Sequence, residues 1–242
     1  MPRFLATFED PNYMGYFYTM AAFALVSLKL FRPTVRYVLL AIVYGIVITS
    51  LSMSALVVNI LLWPVFLVVT RNIKLKAFVI CILIIFAFLS LYRYGLNHPD
   101  VKILWQFSQR LEETIEDVLV GDISDATTGR TDLVAEHLNY YFDQPFLRMI
   151  FGGSAVNTQF ITYPLQMLAH NEYVDLLLNV GLLGTLVLVG FTFYYLLESF
   201  KIYMEEKKSE QLCIFMIKCI WCAYCMTLTV FMDYRFMLPF FI

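Results

Sequence analysis

HNEYVDLLLNVGLLG, running from His170 to Gly184, joins a polar segment to an apolar one. The residues before it, from about 95 onward, are mostly polar, and an apolar run from Tyr173 to Leu197 follows. As a helix rising about 1.5 Å per residue, such a run spans the ~30 Å of hydrocarbon in a bilayer. His170 is therefore expected at a water–lipid boundary, on the first turn of a spanning helix. There the positive end of the backbone dipole opposes protonation of an imidazole and favours the neutral, proton-accepting form.

Composition agrees with a membrane protein. Of 242 residues, 60% are hydrophobic and 15% charged, and the mean hydropathy is +0.72, outside the range of soluble domains. A net charge of −2 gives no general affinity for nucleic acid. The first twelve residues lack a basic segment followed by an apolar one and do not read as a signal peptide. All five cysteines lie in apolar runs; Cys219, Cys222 and Cys225 make a loose helical stripe, but no His or acid accompanies them, so helix packing is expected and no metal.

Outward from the quoted stretch, six spans are expected in an all-α membrane protein. The first is Tyr13 to Leu30, followed by Lys29, Arg32 and Arg36. The apolar region from Tyr37 to Val69 divides at Ser50, Ser52 and Ser54 into helices of about 37–50 and 54–69 with a tight turn between them. Arg71, Lys74 and Lys76 precede a fourth span, Ala77 to Leu91. The fifth is Tyr173 to Leu197, then come Lys201, Lys207 and Lys208, and the sixth is Leu212 to Met232. The organisation is thus a four-span membrane region over 1–94, a loop or cap over 95–169, and a two-span region over 170–242. The three basic clusters fall on one side, which makes it cytoplasmic and puts the loop and both termini outside.

The loop carries ten of the chain's 19 acids against four bases, Lys102, Arg110, Arg130 and Arg148. Leu104, Phe107, Leu111, Ile115 and Val118 recur at helical spacing, so 102–119 is expected to be amphipathic. A second helix starts at Thr127-Thr128-Gly129-Arg130, with Leu133, Val134, Leu138, Tyr141 and Phe142 on its apolar side, and Gln144-Pro145 ends it. Gly152-Gly153-Ser154 reads as a flexible link.

His170 leads the candidates because, of the three histidines, only it opens a spanning helix; the bland alternative is a hydrogen-bonded interfacial anchor. Asn171 can cap that helix, and Glu172 and Asp175 fall in its first turn, where negative charge is favoured. Gly181 and Gly184 lie eleven and fourteen residues past His170, about 16 to 21 Å deeper on a straight helix, too far to touch its substrate. Small residues there let another helix approach. Arg3 and Arg130 could each offer two parallel hydrogen bonds to a diphosphate, the alternative being ordinary surface arginines. Arg93, Arg148 and Lys218 read as snorkelling or weaker candidates.

The whole string, His-Asn, nine residues, Gly, two residues, Gly, resembles the O-antigen polymerase and ligase family of bacterial membrane glycosyltransferases at His170, Asn171, Gly181 and Gly184. Thr128-Gly129-Arg130, followed by Gln144-Pro145 and Gly152-Gly153, is similar to that family's Gly-Arg helix and Pro-to-Gly segment. Arg3, with Phe8, Pro11 and Asn12, is similar to its Arg, Phe, x, x-Pro-Asn stretch. The chain departs from the pattern in having fewer spans, Met53 where an arginine often follows the serine, and no Trp after Gly-Arg, with Leu133 near that place. The resemblance implies the C-terminal half of such an enzyme.

It further implies transfer of an oligosaccharide from a polyprenyl diphosphate to a glycan acceptor at the outer face of the bacterial cytoplasmic membrane, by a polymerase or a ligase. No metal or other cofactor is implied; His170 would be the base and Arg3 and Arg130 would hold the diphosphate, with Asn171, Glu172, Gly181 and Gly184 in support. Partners would be the lipid-linked oligosaccharide, the glycan acceptor, the bilayer, and an N-terminal half or other polysaccharide assembly proteins. A transporter subunit, a non-catalytic scaffold or an inactive fragment are the competing classes; a transporter should show ionisable or broken-helix sites within its spans.

Overall fold

The computed structural model describes residues 11–50, 52–70, 90, 92–121, 129–153 and 169–226, and these form helices and connecting turns without a strand. The helices are α1 (Pro11–Leu28), α2 (Pro33–Thr49), α3 (Met53–Val69), α4 (Lys102–Val120), α5 (Arg130–Phe142), α6 (Phe146–Phe151), α7 (Glu172–Glu206) and α8 (Ser209–Tyr224). The expected fourth span, the basic cluster at 71–76 and Arg3 lie outside the described residues. Of the described helices, α7 is long and apolar enough to cross a membrane; Pro33–Thr49 and Ser54–Val69 are apolar but shorter. The chain divides into two compact units, Met1–Ala22 with Thr34–Ala126 and Phe23–Pro33 with Thr127–Ile242.

In the first unit, α1 and α2 both begin on proline, whose fixed φ and missing N–H suit the first helical position. The serines between α2 and α3 end one helix and start the next. Ser50 Oγ donates to Val47 O (2.6 Å), and Ser52 caps α3, its Oγ accepting from Ala55 N at 3.2 Å. Ser52 and Ser54 both donate to Asn12 Oδ1, at 2.8 and 2.9 Å, which ties the start of α1 to the start of α3.

One turn further along α3, Asn59 continues that ladder. Its amide donates to Thr19 Oγ1 (2.8 Å) and Ala55 O (2.7 Å), and its Oδ1 accepts from Tyr44 OH (3.0 Å). Trp63 Nε1 donates in turn to the Tyr44 hydroxyl. A buried amide is tolerated among apolar helices because every one of these partners is in place. In α4, Phe107 and Ser108 are buried, whereas Ile115, expected on the inner stripe, is exposed. Gly95 packs on α4 so closely that a Cβ there would lie 2.2 Å from Ser108 Oγ.

In the second unit, α7 turns back into α8 at Lys207, which closes α7 in the left-handed conformation (φ 55°), its N–H donating to Tyr203 O. Phe200 and Phe215 meet across the pair at 5.3 Å, and Met216, Ile220, Trp221 and Tyr224 form the buried face of α8. Lys218, expected to snorkel, is buried instead, with its ammonium 5.7 Å from the centre of the Tyr195 ring. Of the sixth expected span, α8 covers the part up to Tyr224 and residues 225–226 form a turn, while 227–232 lie outside the described residues.

The loop helix α5 follows the expected bounds, with Gly129 (φ 77°) as its left-handed N-cap. Its buried face agrees in part, with Leu133, Val134 and Leu138 half-buried as expected. His137 and Tyr141 are buried, and Phe142 points out. His137 Nδ1 lies 2.7 Å from Leu133 O. Pro145 starts a further short helix, α6, which the sequence reading does not contain.

Candidate functional site

The N-terminus of α7 is built from the sequence Ala169 to Asp175, and each of its leading N–H groups finds an acceptor. Asn171 is the cap: its backbone is extended (φ −143°, ψ 108°), and its Oδ1 accepts from Tyr173 N (3.1 Å) and Val174 N (3.4 Å). Asp175 N donates to Asn171 O at 3.0 Å. The remaining donor, Glu172 N, reaches the end of α8, where Cys225 O accepts at 2.8 Å. Beside it the Tyr173 hydroxyl donates to Cys222 O at 3.1 Å. The cysteine stripe of α8 thus serves this site through backbone carbonyls. Satisfying every terminal donor lets this helix end be buried.

His170 consequently stands before the cap, not on the first turn of the helix as the sequence reading has it. It is half-buried and its backbone is left-handed, with φ 51°. For a residue with a Cβ that conformation costs about 1–2 kcal/mol. Lys29 and Lys207 share it, but both follow the C-terminus of a helix, where a left-handed residue is an ordinary stop. His170 precedes a helix, so no such account applies to it. What holds the turn is Asp175, a buried carboxylate whose Oδ1 accepts from Ala169 N at 3.3 Å.

Glu172, Asp175 and Asn179, spaced three and four apart, are all buried. They make one polar face on the first turns of α7, which expectation placed at a water boundary. Asn179 Nδ2 donates to Asp175 O at 2.8 Å.

At Gly181 the helix breaks. Its φ of 69° and ψ of −178° are not helical, and only glycine adopts that conformation without strain. The chain pressing on the break is the end of α6. A Cβ at Gly181 would lie 2.3 Å from Gly152 N and 2.4 Å from Ile150 O, and one at Gly152 would lie 2.3 Å from Asn179 O. Gly153 N donates to Leu178 O at 3.1 Å, an oxygen that a continuous helix assigns to Leu182 N.

Two expectations are corrected here. Gly152-Gly153 is a backbone docking point, not a flexible link, and Gly181 admits this loop segment, not a second spanning helix. Gly184 has its own reason: a Cβ there would meet Val180 Cβ at 2.7 Å, where side chains four apart on a regular helix stand about 5–6 Å apart. The break folds Val180 over position 184. It also voids the straight-helix depth of 16 to 21 Å for the two glycines.

Tyr141 braces α6 from α5, its hydroxyl donating to Met149 O at 2.8 Å, and burial pushes the phenol above its ordinary 10.0, keeping it a donor. Of the two expected diphosphate ligands, Arg130 is the half-exposed first residue of α5, and Arg3 lies outside the described residues. The residues the structure joins are Asn171, Glu172 and Asp175 at the head of α7, and, at the break, Gly181 with Gly152 and Gly153. Sequence alone makes Asp175 a dipole partner; the signal for its second task is the i, i+3, i+7 spacing of Glu172, Asp175 and Asn179, which marks a single helix face.

Among the described residues no group of three or more His, Cys, Asp or Glu side chains is arranged to hold a metal ion. What the arrangement can supply is a half-buried imidazole in a fixed turn at the head of a buried, broken helix. No family profile, no curated protein and no solved structure matches this chain.

Proposed function

We propose that the chain is a multi-pass bacterial inner-membrane protein of polysaccharide assembly, and that His170 is the base in glycosyl transfer from a polyprenyl-diphosphate-linked oligosaccharide. The observation that carries this reading is the left-handed His170 held ahead of a fully capped helix by buried Asp175. Backbone strain kept at one polar residue is common where a reacting group must be aimed. The imidazole takes the proton of the attacking glycan hydroxyl. Arg130, with Arg3, neutralises the departing diphosphate. The sequence pattern around His170, Gly181 and Gly184 supports the choice of substrate class.

The test is transfer by membranes carrying His170→Ala, supplied with lipid-linked oligosaccharide and acceptor glycan. Normal product from well-expressed variant protein removes the base role. Product length separates the two forms of the reaction: single-repeat products on loss mean a polymerase, long unattached chains a ligase.

A second reading has its own observation. A discontinuous helix with buried Glu172 and Asp175 just before the break is an arrangement that transporters use for ions or charged solutes. Solute or proton flux in vesicles that falls in Glu172→Gln while His170→Ala leaves it intact would favour transport over transfer.

A further inference from the structure

α6 is short, yet Phe146, Leu147 and Phe151 are 70%, 68% and 64% exposed, and Phe142 beside them is also exposed. Four large apolar side chains on two adjoining helix ends are an uncovered patch of the sort that marks an interaction surface. What covers it follows from where α6 is held. Its last residues lie backbone to backbone against 178–181 of α7. In α7 the uncharged stretch is 176–197; its continuous helix beyond the break, 182–197, rises about 24 Å at 1.5 Å per residue, most of the hydrocarbon thickness, and the turns before the break add to that. Gly181 is therefore about 7–8 Å inside that stretch, within the ~5–10 Å to which interfacial helices sink.

We infer that α6 is a membrane-inserted helix, lying in the hydrocarbon boundary beside the first turns of α7 with Phe142, Phe146, Leu147 and Phe151 against lipid. The inference rests on the reading that α7 crosses the bilayer. It gives the break a second physical basis: a helix may open at membrane depth only where protein takes up its polar groups, and Gly153 N–H does so at Leu178 O. Exposed Arg148 is long enough to reach headgroup phosphates from this depth. It also brings the loop into contact with the part of the bilayer that holds lipid-linked substrates.

The experiment places a nitroxide on the full chain, with its native cysteines replaced by alanine and reconstituted in phosphatidylcholine vesicles, at Leu147→Cys, at Val187→Cys on the exposed face of α7, or at Asp132→Cys on exposed α5. Collisions with oxygen report lipid, and collisions with a water-soluble nickel chelate report water. Labels at 147 and 187 are expected to favour oxygen several-fold, and the label at 132 to favour nickel. Nickel access at 147 with oxygen access retained at 187 overturns the inference while α7 still spans. Protection of 147 from both reagents means a protein partner or second copy covers α6, and overturns it as well. Nickel access at 187 removes the spanning reading and the inference together.

Discussion

The two halves of α7 differ in how much of their surface is buried. Before Gly181 the helix is core: Glu172, Val174, Asp175, Leu176, Leu178 and Asn179 are buried against the end of α8 and the α6 segment. Beyond it, Leu183, Leu186, Val187, Phe191 and Leu197 are exposed. An apolar run therefore says that water is excluded without saying whether protein or lipid does it. In the first half the buried polar side chains Asp175 and Asn179 hydrogen-bond to protein; in the second Thr185, Thr192 and Ser199 are buried while the exposed face is mostly apolar, as contact with lipid requires.

The largest effect should appear at the head of the core half. His170→Ala is expected to lower glycosyl transfer by about 10²–10⁴-fold, the range of a lost general base, without loss of protein from the membrane. His170→Gly should lose activity equally while relieving up to about 1–2 kcal/mol of left-handed strain. Thermal unfolding in detergent alongside a transfer assay separates the two. An active His170→Gly protein would show that the turn, not the imidazole, is what matters.

Truncations on either side of the break test the contrast directly. Leu176→Ala, at 1% exposure, should cost about 2–5 kcal/mol. Leu186→Ala, at 60%, should stay within about 0.5 kcal/mol. Equal losses in unfolding would mean that the outer half is covered by protein.

The glycines give the next step down. Gly181→Ala meets both a positive φ and backbone atoms at 2.3–2.4 Å, so a loss of about 3 kcal/mol is expected. Gly190 has nothing within 4 Å of its added Cβ, and Gly190→Ala should stabilise the helix by about 0.5–1 kcal/mol. A harmless Gly181→Ala would mean that α7 is straight and α6 undocked.

Among the buried positions the smallest expected loss is at the carboxylate that holds the His170 turn. Asp175→Ala leaves the Ala169 N–H without its acceptor and should cost about 1–3 kcal/mol, and Asp175→Asn, which keeps an oxygen there, should cost less. Transfer should fall in step with the loss of that bond, read as rate at fixed protein level.

Amino-acid order alone determined much of the layout. Period and punctuation placed α3, α4 and α5 nearly to their ends, and α2 at its end but a turn late at its start, because serines and glycines act within a turn or two of where they stand. The same local logic named Asn171 as a cap and set Glu172 and Asp175 in the first turn. Tertiary structure alone decided the rest. The left-handed His170 depends on Asp175 folding back to Ala169, and the carbonyl of Cys225 at the end of α8 is taken up by Glu172 N, distant in sequence. The break at Gly181 depends on Gly152 and Gly153, so a flexible link by composition becomes a fixed contact. Local periodicity reports which face of a helix avoids water; which chain segment comes to lie against that face is a long-range choice, made by close packing and by the demand that buried backbone groups find partners.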